Sequence, residues 1–200
     1  MLVVTGFNST VVRELDTLLS FTKHDEEVVR LNPGVTNTTA ERYLFAAGYL
    51  AGKSPKEISG VEAADTLSVN ALWPISEINR ILCLNPVARI CVIGSESAYT
   101  GSYDMDYARS KKMLHDFVEN RRLHSPDQQL VGIAPTIIED SGMTKRRKDL
   151  DNLAAKRKAH PKHRFLTAME VARMVYFLLY EDRGFISNVV IRMNGGGHLW

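Results

Sequence analysis

The chain has 200 residues and a mass of 22.4 kDa, which suffices for one α/β domain with a buried core and is too little for two. Apolar residues make up 44% and charged residues 24% of it, which excludes disordered, collagen-like and disulfide-rich classes. No apolar run reaches the roughly 18 residues that span a bilayer, and no basic segment with a signal-peptide core precedes the first apolar run. We therefore expect no membrane association and a cytoplasmic location.

The net charge of +2 is unevenly distributed. Residues 145–164 hold nine Lys or Arg and two Asp, a local charge of +7. The rest of the chain therefore carries −5, the difference between +2 and +7. The sequence thus combines an acidic body with one basic segment.

The predicted elements alternate between strands and helices. In chain order they are a strand at 2–5, a helix at 10–21, strands at 27–31 and 43–47, a helix at 63–84, a strand at 89–93, a helix at 107–122, a strand at 129–138, a helix at 167–181 and a strand at 187–193. This alternation predicts an α/β domain spanning residues 1–200, with a mostly parallel sheet and helices on both faces.

The cysteines and histidines give no metal site. Cys83 and Cys91 are the only cysteines, and we interpret both as buried free thiols in a reducing compartment. His160 and His163 lack Cys or Asp partners at metal-ligand spacing. We therefore predict no bound metal.

Tyr107 and Lys111 stand four residues apart in the segment YARSK. On a helix this spacing puts both side chains on one face, about one turn apart. A phenol with a pKa of about 10 is a poor acid or base at neutral pH, but a nearby ammonium favours the phenolate and lowers that pKa. The pair is a candidate proton donor with its activating cation, although the same spacing also occurs on solvent-exposed helices.

Ser95 follows the predicted strand at 89–93, at the carboxyl end where open α/β sheets bind their ligands. With this serine and the YARSK segment the sequence resembles the short-chain dehydrogenase/reductase family, because several short motifs of that family occur in the same order. They are VVTG at 3–6, AAG at 46–48, VN at 69–70, GS at 94–95, YARSK at 107–111, AP at 134–135 and the tail EDRGFISNVVIRMNGGG at 181–197. The resemblance implies a Rossmann-like fold of three layers.

The resemblance also implies catalytic roles. Tyr107 matches the tyrosine that exchanges a proton with the substrate oxygen, and Lys111 matches the lysine that lowers its pKa and holds the nicotinamide ribose. Ser95 matches the serine that hydrogen-bonds the substrate carbonyl. It lies one residue closer to the tyrosine than the family spacing, so Ser97 is a second candidate. Asn70 matches the asparagine whose backbone holds a water of the proton relay.

The loop after the first strand departs from the family pattern Thr-Gly-x-x-x-Gly-x-Gly, since only Gly6 of the three glycines is present. The following helix can still bind a pyrophosphate through its free N–H groups and its dipole, and Asn8, Ser9 and Thr10 can donate hydrogen bonds. We predict a dinucleotide site of reduced affinity. An ordinary turn without a ligand is the alternative.

Other cofactor contacts follow from the resemblance alone. Ala47 and Gly48 stand where the family has an Asn-Asn-Ala-Gly-like turn, and Pro135 and Ile137 stand in the segment that lines the nicotinamide. Ser141 stands near the position of a family threonine.

The region beside the adenosine is short. About twenty residues, 22–42, replace a strand-helix-strand passage of the family, so a helix, with or without one strand, is expected to be missing. Arg30 ends the predicted strand there, where an arginine pairs with a 2′-phosphate. Arg30 therefore favours NADP over NAD, with an exposed arginine that binds no ligand as the alternative.

In the family, the stretch after the proline covers the substrate, and here it is the basic segment 142–166. Its positive charge over a cleft would attract an anionic substrate, such as a nucleotide-sugar, a phosphorylated metabolite or an acyl group on coenzyme A or a carrier protein. A solvated basic helix is the alternative.

The sequence thus favours an NAD(P)-dependent oxidoreductase that transfers hydride between nicotinamide and a carbonyl or secondary alcohol. A non-catalytic relative that has lost dinucleotide binding and a nucleotide-sugar epimerase or dehydratase are the alternatives. The family pairs its long helices, and the segment MVYFLLY at 174–180 is apolar nearly all round. We therefore expect a homodimer or homotetramer, and no nucleic-acid partner.

Overall fold

The computed structural model describes residues 1–6, 8–24, 26–32, 35, 37–51 and 57–197, which hold one six-stranded sheet. The strands are β1 (Leu2–Thr5), β2 (Val28–Leu31), β3 (Arg42–Phe45), β4 (Arg89–Ile93), β5 (Gln129–Pro135) and β6 (Val189–Met193). All of them are parallel, in the order β2-β1-β3-β4-β5-β6. The predicted parallel sheet is confirmed.

The helices are α1 (Thr10–Phe21), α2 (Gly60–Leu67), α3 (Trp73–Leu84), α4 (Ser97–Thr100), α5 (Met105–Asn120), α6 (Gly142–Lys145), α7 (Leu150–Ala159) and α8 (Ala168–Tyr176). Wider π-helical turns, Ser68–Leu72 and Phe177–Glu181, follow α2 and α8. Two helices begin earlier than predicted because polar residues cap them: Ser59 with Glu62 before α2, and Asp104 before α5. The last predicted residues of the strand at 129–138 leave the sheet after Pro135, and Ile138 bridges Leu166 instead.

Side chains of alternate strand residues point to opposite faces of the sheet and form two cores. On one face Leu2, Val4 and Cys91 pack with the apolar sides of α1 and α8. On the other face Val3 and Ile90 pack with α3 and α5. The three-layer Rossmann-like arrangement is thereby confirmed.

Cys83 does not belong to either core. The prediction of two buried thiols is right for Cys91, which is fully buried, and wrong for Cys83, which is exposed. The reason is helical geometry, since Ile81 and Leu82 turn inward on α3 and the next residue comes round to the outside. Cys83 Sγ lies 3.8 Å from Nε2 of His124.

The sheet differs at one edge from the common doubly wound sheet, whose order is 3-2-1-4-5-6. In the described part of the chain β2 forms the edge, and no helix or strand lies between β2 and β3. The expected shortening is confirmed. The strand order still reverses between β1 and β3, which is where such sheets bind ligands.

Asn70 lies in the widened turn between α2 and α3, and Pro74 explains the widening. A proline has no N–H to donate to the carbonyl four residues earlier, which here belongs to Asn70. The helix continues through a π-helical turn, a form often found at functional sites. The carbonyl of Asn70 therefore has no α-helical donor.

Candidate active site

A cleft of about 930 Å³ opens at the carboxyl ends of β1, β3, β4 and β5. Most of the predicted site residues line it: Gly6, Asn8, Ser9, Thr10, Ala47, Gly48, Ser95, Ser97, Tyr107, Lys111, Pro135, Ile137 and Ser141. Asn70 and Arg30 do not. The structure therefore brings together the predicted catalytic serine, tyrosine and lysine beside the predicted phosphate loop.

Tyr107 lies in the first turn of α5, where its backbone N–H donates to the Asp104 carboxylate at 3.0 Å. The phenol is half-buried against the Ser95 end of β4. Burial raises the pKa of Tyr107, and hydrogen bonding from Ser95 acts in the opposite direction. The Ser95 hydroxyl also accepts from the N–H of Ser97 at 3.1 Å, so Ser97 supports Ser95 through its backbone.

Lys111 lies one turn after Tyr107, but its ammonium faces the backbone. Nζ donates to the carbonyl of Ile93 at 2.9 Å and stands 5.9 Å from the centre of the Tyr107 ring. Burial lowers the pKa of Lys111 to about 8. The expectation that Lys111 lowers the pKa of Tyr107 is not met in this structure, because burial of the phenol dominates its pKa.

Asn70 is buried directly behind the cleft. Its side chain accepts from the N–H of Tyr49 at 2.7 Å and donates to the Tyr49 carbonyl at 2.8 Å. It also donates to the Ser110 hydroxyl at 3.2 Å. A Cβ on Gly48 would lie 3.8 Å from Asn70 Oδ1 and 3.9 Å from Lys111 Nζ, so both side chains converge beneath this turn. Asn70 therefore fixes the loop after β3.

In the loop after β1, the fold requires a glycine at position 6. Its φ of +68° favours glycine, and an added Cβ would lie 2.5 Å from the backbone of both Ala46 and Ala47. Val12, which stands at a glycine position of the family, is fully buried in the core. A side chain is tolerated there because it points away from the cleft.

The N-terminus of α1 faces the cleft with its N–H groups available. Ser9 is the N-cap residue, yet its side chain makes no capping hydrogen bond, and the first turn carries no acidic residue. Thr10 Oγ1 donates to the Asp140 carbonyl at 3.4 Å. Unsatisfied N–H groups and the helix dipole together favour an anion at such a position.

Arg30 is placed away from the cleft. Its guanidinium pairs with Asp16 of α1 at 2.6 Å and is about half exposed. In this position Arg30 does not reach the cleft for the predicted contact with a 2′-phosphate, because its guanidinium is paired with the Asp16 carboxylate.

The basic segment 142–166 borders the cleft through only some of its cations. Arg146, Arg147 and Lys156 line it. Arg147 forms an ion pair with Asp149, with N···O distances of 2.8 and 2.5 Å, so the charge of Arg147 is neutralised. Among the described residues no acidic partner lies within ion-pair distance of Arg146 or Lys156. The remaining arginines of the segment pair at its outside, Arg157 with Glu139 and Arg164 with Glu170.

Two features of the site were not predicted from the sequence. His115 is buried behind Ser95, and its spacing of four residues from Lys111 on the same helix was the signal for it. Glu96, also buried, pairs with Arg192 and accepts from Asn194 at 2.8 Å. No local pattern indicates this cluster, because it joins residues almost 100 positions apart.

Where the structure describes the chain, no three His, Cys, Asp or Glu side chains are grouped to hold a metal ion. In the same residues no helix is both long and apolar enough to cross a membrane.

The solved structures that resemble this chain are short-chain dehydrogenases and reductases, so the resemblance in the sequence motifs is confirmed at the level of the fold. One is a short-chain dehydrogenase family protein from Francisella tularensis, with a TM-score of 0.79 and 17% identity over 100% of this chain and 98% of that chain. Another is a variant of actinorhodin polyketide ketoreductase with NADPH, with a TM-score of 0.76 and 14% identity over 100% and 97% of the two chains. A third is ElxO with NADP bound, with a TM-score of 0.77 and 17% identity over 100% and 98%. No protein-family model matches the chain, and no curated protein matches its sequence.

Proposed function

We propose that the protein is an NAD(P)-dependent oxidoreductase of the short-chain dehydrogenase/reductase type, which interconverts a carbonyl and a secondary alcohol. The observation that carries the proposal is the convergence of Ser95, Tyr107 and Lys111 on the wall of one cleft whose other end is the open N-terminus of α1. A hydroxyl pair with a buried ammonium supplies proton transfer, and a helix N-terminus suits a pyrophosphate. Solved structures with the same fold include an NADPH-containing and an NADP-bound one.

The residues of this chain fit a dinucleotide at that place. The N–H groups of α1 would hold the pyrophosphate, assisted by Asn8, Ser9 and the close approach at Gly6. The nicotinamide end would lie against Pro135 and the backbone of Ile137, with Lys111 beside its ribose. When bound, the dinucleotide supplies or takes up the two electrons of the reaction as hydride.

The chain's own residues handle the proton and the substrate oxygen. Tyr107 Oη donates a proton to that oxygen during reduction and accepts it during oxidation. The Ser95 hydroxyl hydrogen-bonds the same oxygen and stabilises its developing charge. We assign to the backbone of Asn70, in the π-helical turn before Pro74, the role of holding a water that returns the proton from solvent.

The substrate class we propose is anionic. Arg146 and Lys156 line the cleft without acidic partners among the described residues, so their charge is directed into it. Both cations lie on the segment 142–166, which follows β5 and borders the opening. Preference for NADP over NAD would require Arg30 to leave Asp16 for the 2′-phosphate.

The assembly we propose is a homodimer or homotetramer. Phe177, Phe185 and Val189, beside the last helix and strand, are 39%, 99% and 38% exposed. Burying such side chains against a second copy would remove apolar surface from water. Light scattering at micromolar concentration would give a mass of at least twice 22.4 kDa.

The proposal is tested by fluorescence titration with NADPH and NADH. We expect saturable binding, weakened about 10- to 100-fold in Lys111→Met, since a hydrogen bond to a charged group contributes roughly 1.5–3 kcal/mol. Lys112→Met is the matched control, because Lys112 is the next residue, is exposed and pairs with Asp116. Binding of neither nucleotide would contradict the proposal and favour a non-catalytic binding protein.

A further inference from the structure

His115 is a buried polar side chain beside the cleft, at 2% exposure. It stands one turn after Lys111 on α5 and faces the backbone that follows β4. Its Nε2 accepts a hydrogen bond from the Ser95 N–H at 3.2 Å. An acceptor at Nε2 places the ring proton on Nδ1, so the imidazole is neutral.

The contact between His115 and Ser95 requires a residue without a side chain at position 94, which is Gly94. A Cβ on Gly94 would lie 2.0 Å from His115 Nε2, so any other residue would push the imidazole away from Ser95. The Gly94 N–H donates to the Ile133 carbonyl at 2.7 Å, and the Glu96 N–H donates to the carbonyl of the last β5 residue at 2.9 Å. The residues on either side of Ser95 are thus held by β5, while Ser95 itself is held by α5.

Two side chains of α5 therefore form hydrogen bonds to the backbone of this turn, one at each side of Gly94. Lys111 donates to the Ile93 carbonyl, and His115 accepts from the Ser95 N–H. Tyr107, on the same helix, lies next to the Ser95 hydroxyl. A single rigid helix thus fixes both members of the Ser95–Tyr107 pair, one directly and one through the backbone.

Packing alone does not explain a histidine at this position. Within the described residues Nδ1 of His115 is buried without a hydrogen-bond partner, a destabilising arrangement that an apolar side chain would avoid. The Tyr99 ring lies 5.2 Å from the imidazole, tilted by 41°, and makes no hydrogen bond to Nδ1. What the imidazole adds to the site is the acceptor at Nε2.

We infer that His115 is a positioning residue, which holds the Ser95 backbone so that the Ser95 hydroxyl meets the substrate oxygen together with Tyr107. This inference rests on the proposed oxidoreductase function. It adds a residue that does not touch the reacting atoms and acts only through Ser95.

The test is a double-mutant cycle on the purified full chain, with NADPH and ethyl acetoacetate as the probe substrate. We expect His115→Leu to lower kcat about 10-fold with KM for NADPH unchanged, and His115→Gln, which keeps an acceptor, to retain at least half of the rate. In a Ser95→Ala background His115→Leu should change kcat less than 2-fold, because its effect passes through Ser95. An undiminished loss in that background would overturn the inference.

Val118→Ala is the control for lost stability, since Val118 is buried on the same helix α5 and lies about one turn further from Ser95, in the core that α5 shares with α3. It should lower the unfolding midpoint and leave kcat per folded molecule within 2-fold. If it lowers kcat as much as His115→Leu does, the positioning role is contradicted.

Hydrogen exchange of the Ser95 amide, measured by NMR, tests the contact without turnover. We expect at least 10-fold faster exchange in His115→Leu and near-normal exchange in His115→Gln. Unchanged protection in His115→Leu would overturn the inference even in an active enzyme. If no ketone is reduced by the wild-type protein, the proposed function fails separately, and the exchange result still decides whether His115 holds Ser95.

Discussion

The two halves of the sheet, at the end where the cleft opens, differ in how firmly the chain holds them. In the half around β4 and α5, the rigid half, the turn 93–96 is hydrogen-bonded by α5 on one side and by β5 on the other, and Ser95, Lys111 and His115 are all buried. In the half around β2, the edge half, the strand is only partly buried and contributes no described residue to the cleft, and Arg30 pairs with Asp16. Proton transfer and carbonyl polarisation depend on sub-ångström placement, whereas the distal part of a cofactor contributes binding energy alone. The shortening of the sheet, as far as the described residues show it, therefore lies in the edge half.

The largest effect is expected at Tyr107. Tyr107→Phe removes one hydroxyl from the rigid half, so it should lower kcat at least 100-fold, roughly the usual contribution of a general acid or base, with little change in the unfolding midpoint. Steady-state rates of NADPH oxidation with ethyl acetoacetate and acetoacetyl-coenzyme A measure it. Tyr176→Phe on α8 is the control and should keep the rate. Retention of more than a tenth of the rate in Tyr107→Phe would remove Tyr107 from its role.

The next effect concerns the pH dependence of stability in the rigid half. Burial and the ammonium of Lys111 lower the pKa of His115 from 6.5 to about 4. Between these values the unfolded chain binds a proton that the folded chain does not, so the free energy of unfolding falls as the pH falls. The loss should be on the order of 2–3 kcal/mol between pH 7 and pH 4. Urea denaturation of wild type and His115→Gln would show it as a difference in pH slope, and parallel curves would contradict it.

A smaller effect is expected at the opening of the cleft. Arg146→Glu with Lys156→Glu should lower kcat/KM for acetoacetyl-coenzyme A about 10-fold at low salt, and the loss should shrink as the Debye length falls from about 10 Å at 0.1 M to about 3 Å at 1 M salt. Neutral ethyl acetoacetate should be affected less than 2-fold. Lys148→Glu with Lys158→Glu changes the same charge at residues that do not line the cleft. Equal losses for both substrates would indicate a damaged loop rather than attraction of an anion.

The smallest effect is expected in the edge half. Arg30→Ala should weaken NADPH binding relative to NADH only about 2- to 5-fold, the contribution of an exposed ion pair. Asp16→Ala frees the arginine and should shift the preference toward NADPH by a similar factor. Fluorescence titration measures both. A change above 100-fold at Arg30 would show that the adenosine side dominates binding, which is the reverse of the difference between the two halves.

The parts of the molecule that could be predicted from the sequence are those that short-range patterns encode. Strands buried on both faces are short continuous apolar runs, and helices buried on one face have apolar residues with a 3.6-residue period, so the sheet and the position of YARSK on a helix could be predicted. The directions of the polar side chains could not be predicted in this way. Lys111 faces Ile93 and Arg30 faces Asp16 because neighbours from other elements compete for them, and no local spacing reports such competition. The spacing of His115 from Lys111 places both on one helix face, but it does not identify the partner of His115, Ser95, which lies twenty residues earlier in the turn after β4.

Competition between the two halves of the cofactor tests most directly whether the rigid half holds the cofactor more firmly than the edge half does. Reduced nicotinamide mononucleotide and adenosine 2′,5′-bisphosphate are each titrated against bound NADPH, whose fluorescence reports displacement. We expect the nicotinamide compound to displace NADPH at the lower concentration, since the contacts proposed for it are Lys111, Pro135 and the open N-terminus of α1, all of which line the cleft. Displacement by the adenosine compound alone, with no effect of the nicotinamide compound, would contradict the claim that the rigid half holds the cofactor more firmly than the edge half does.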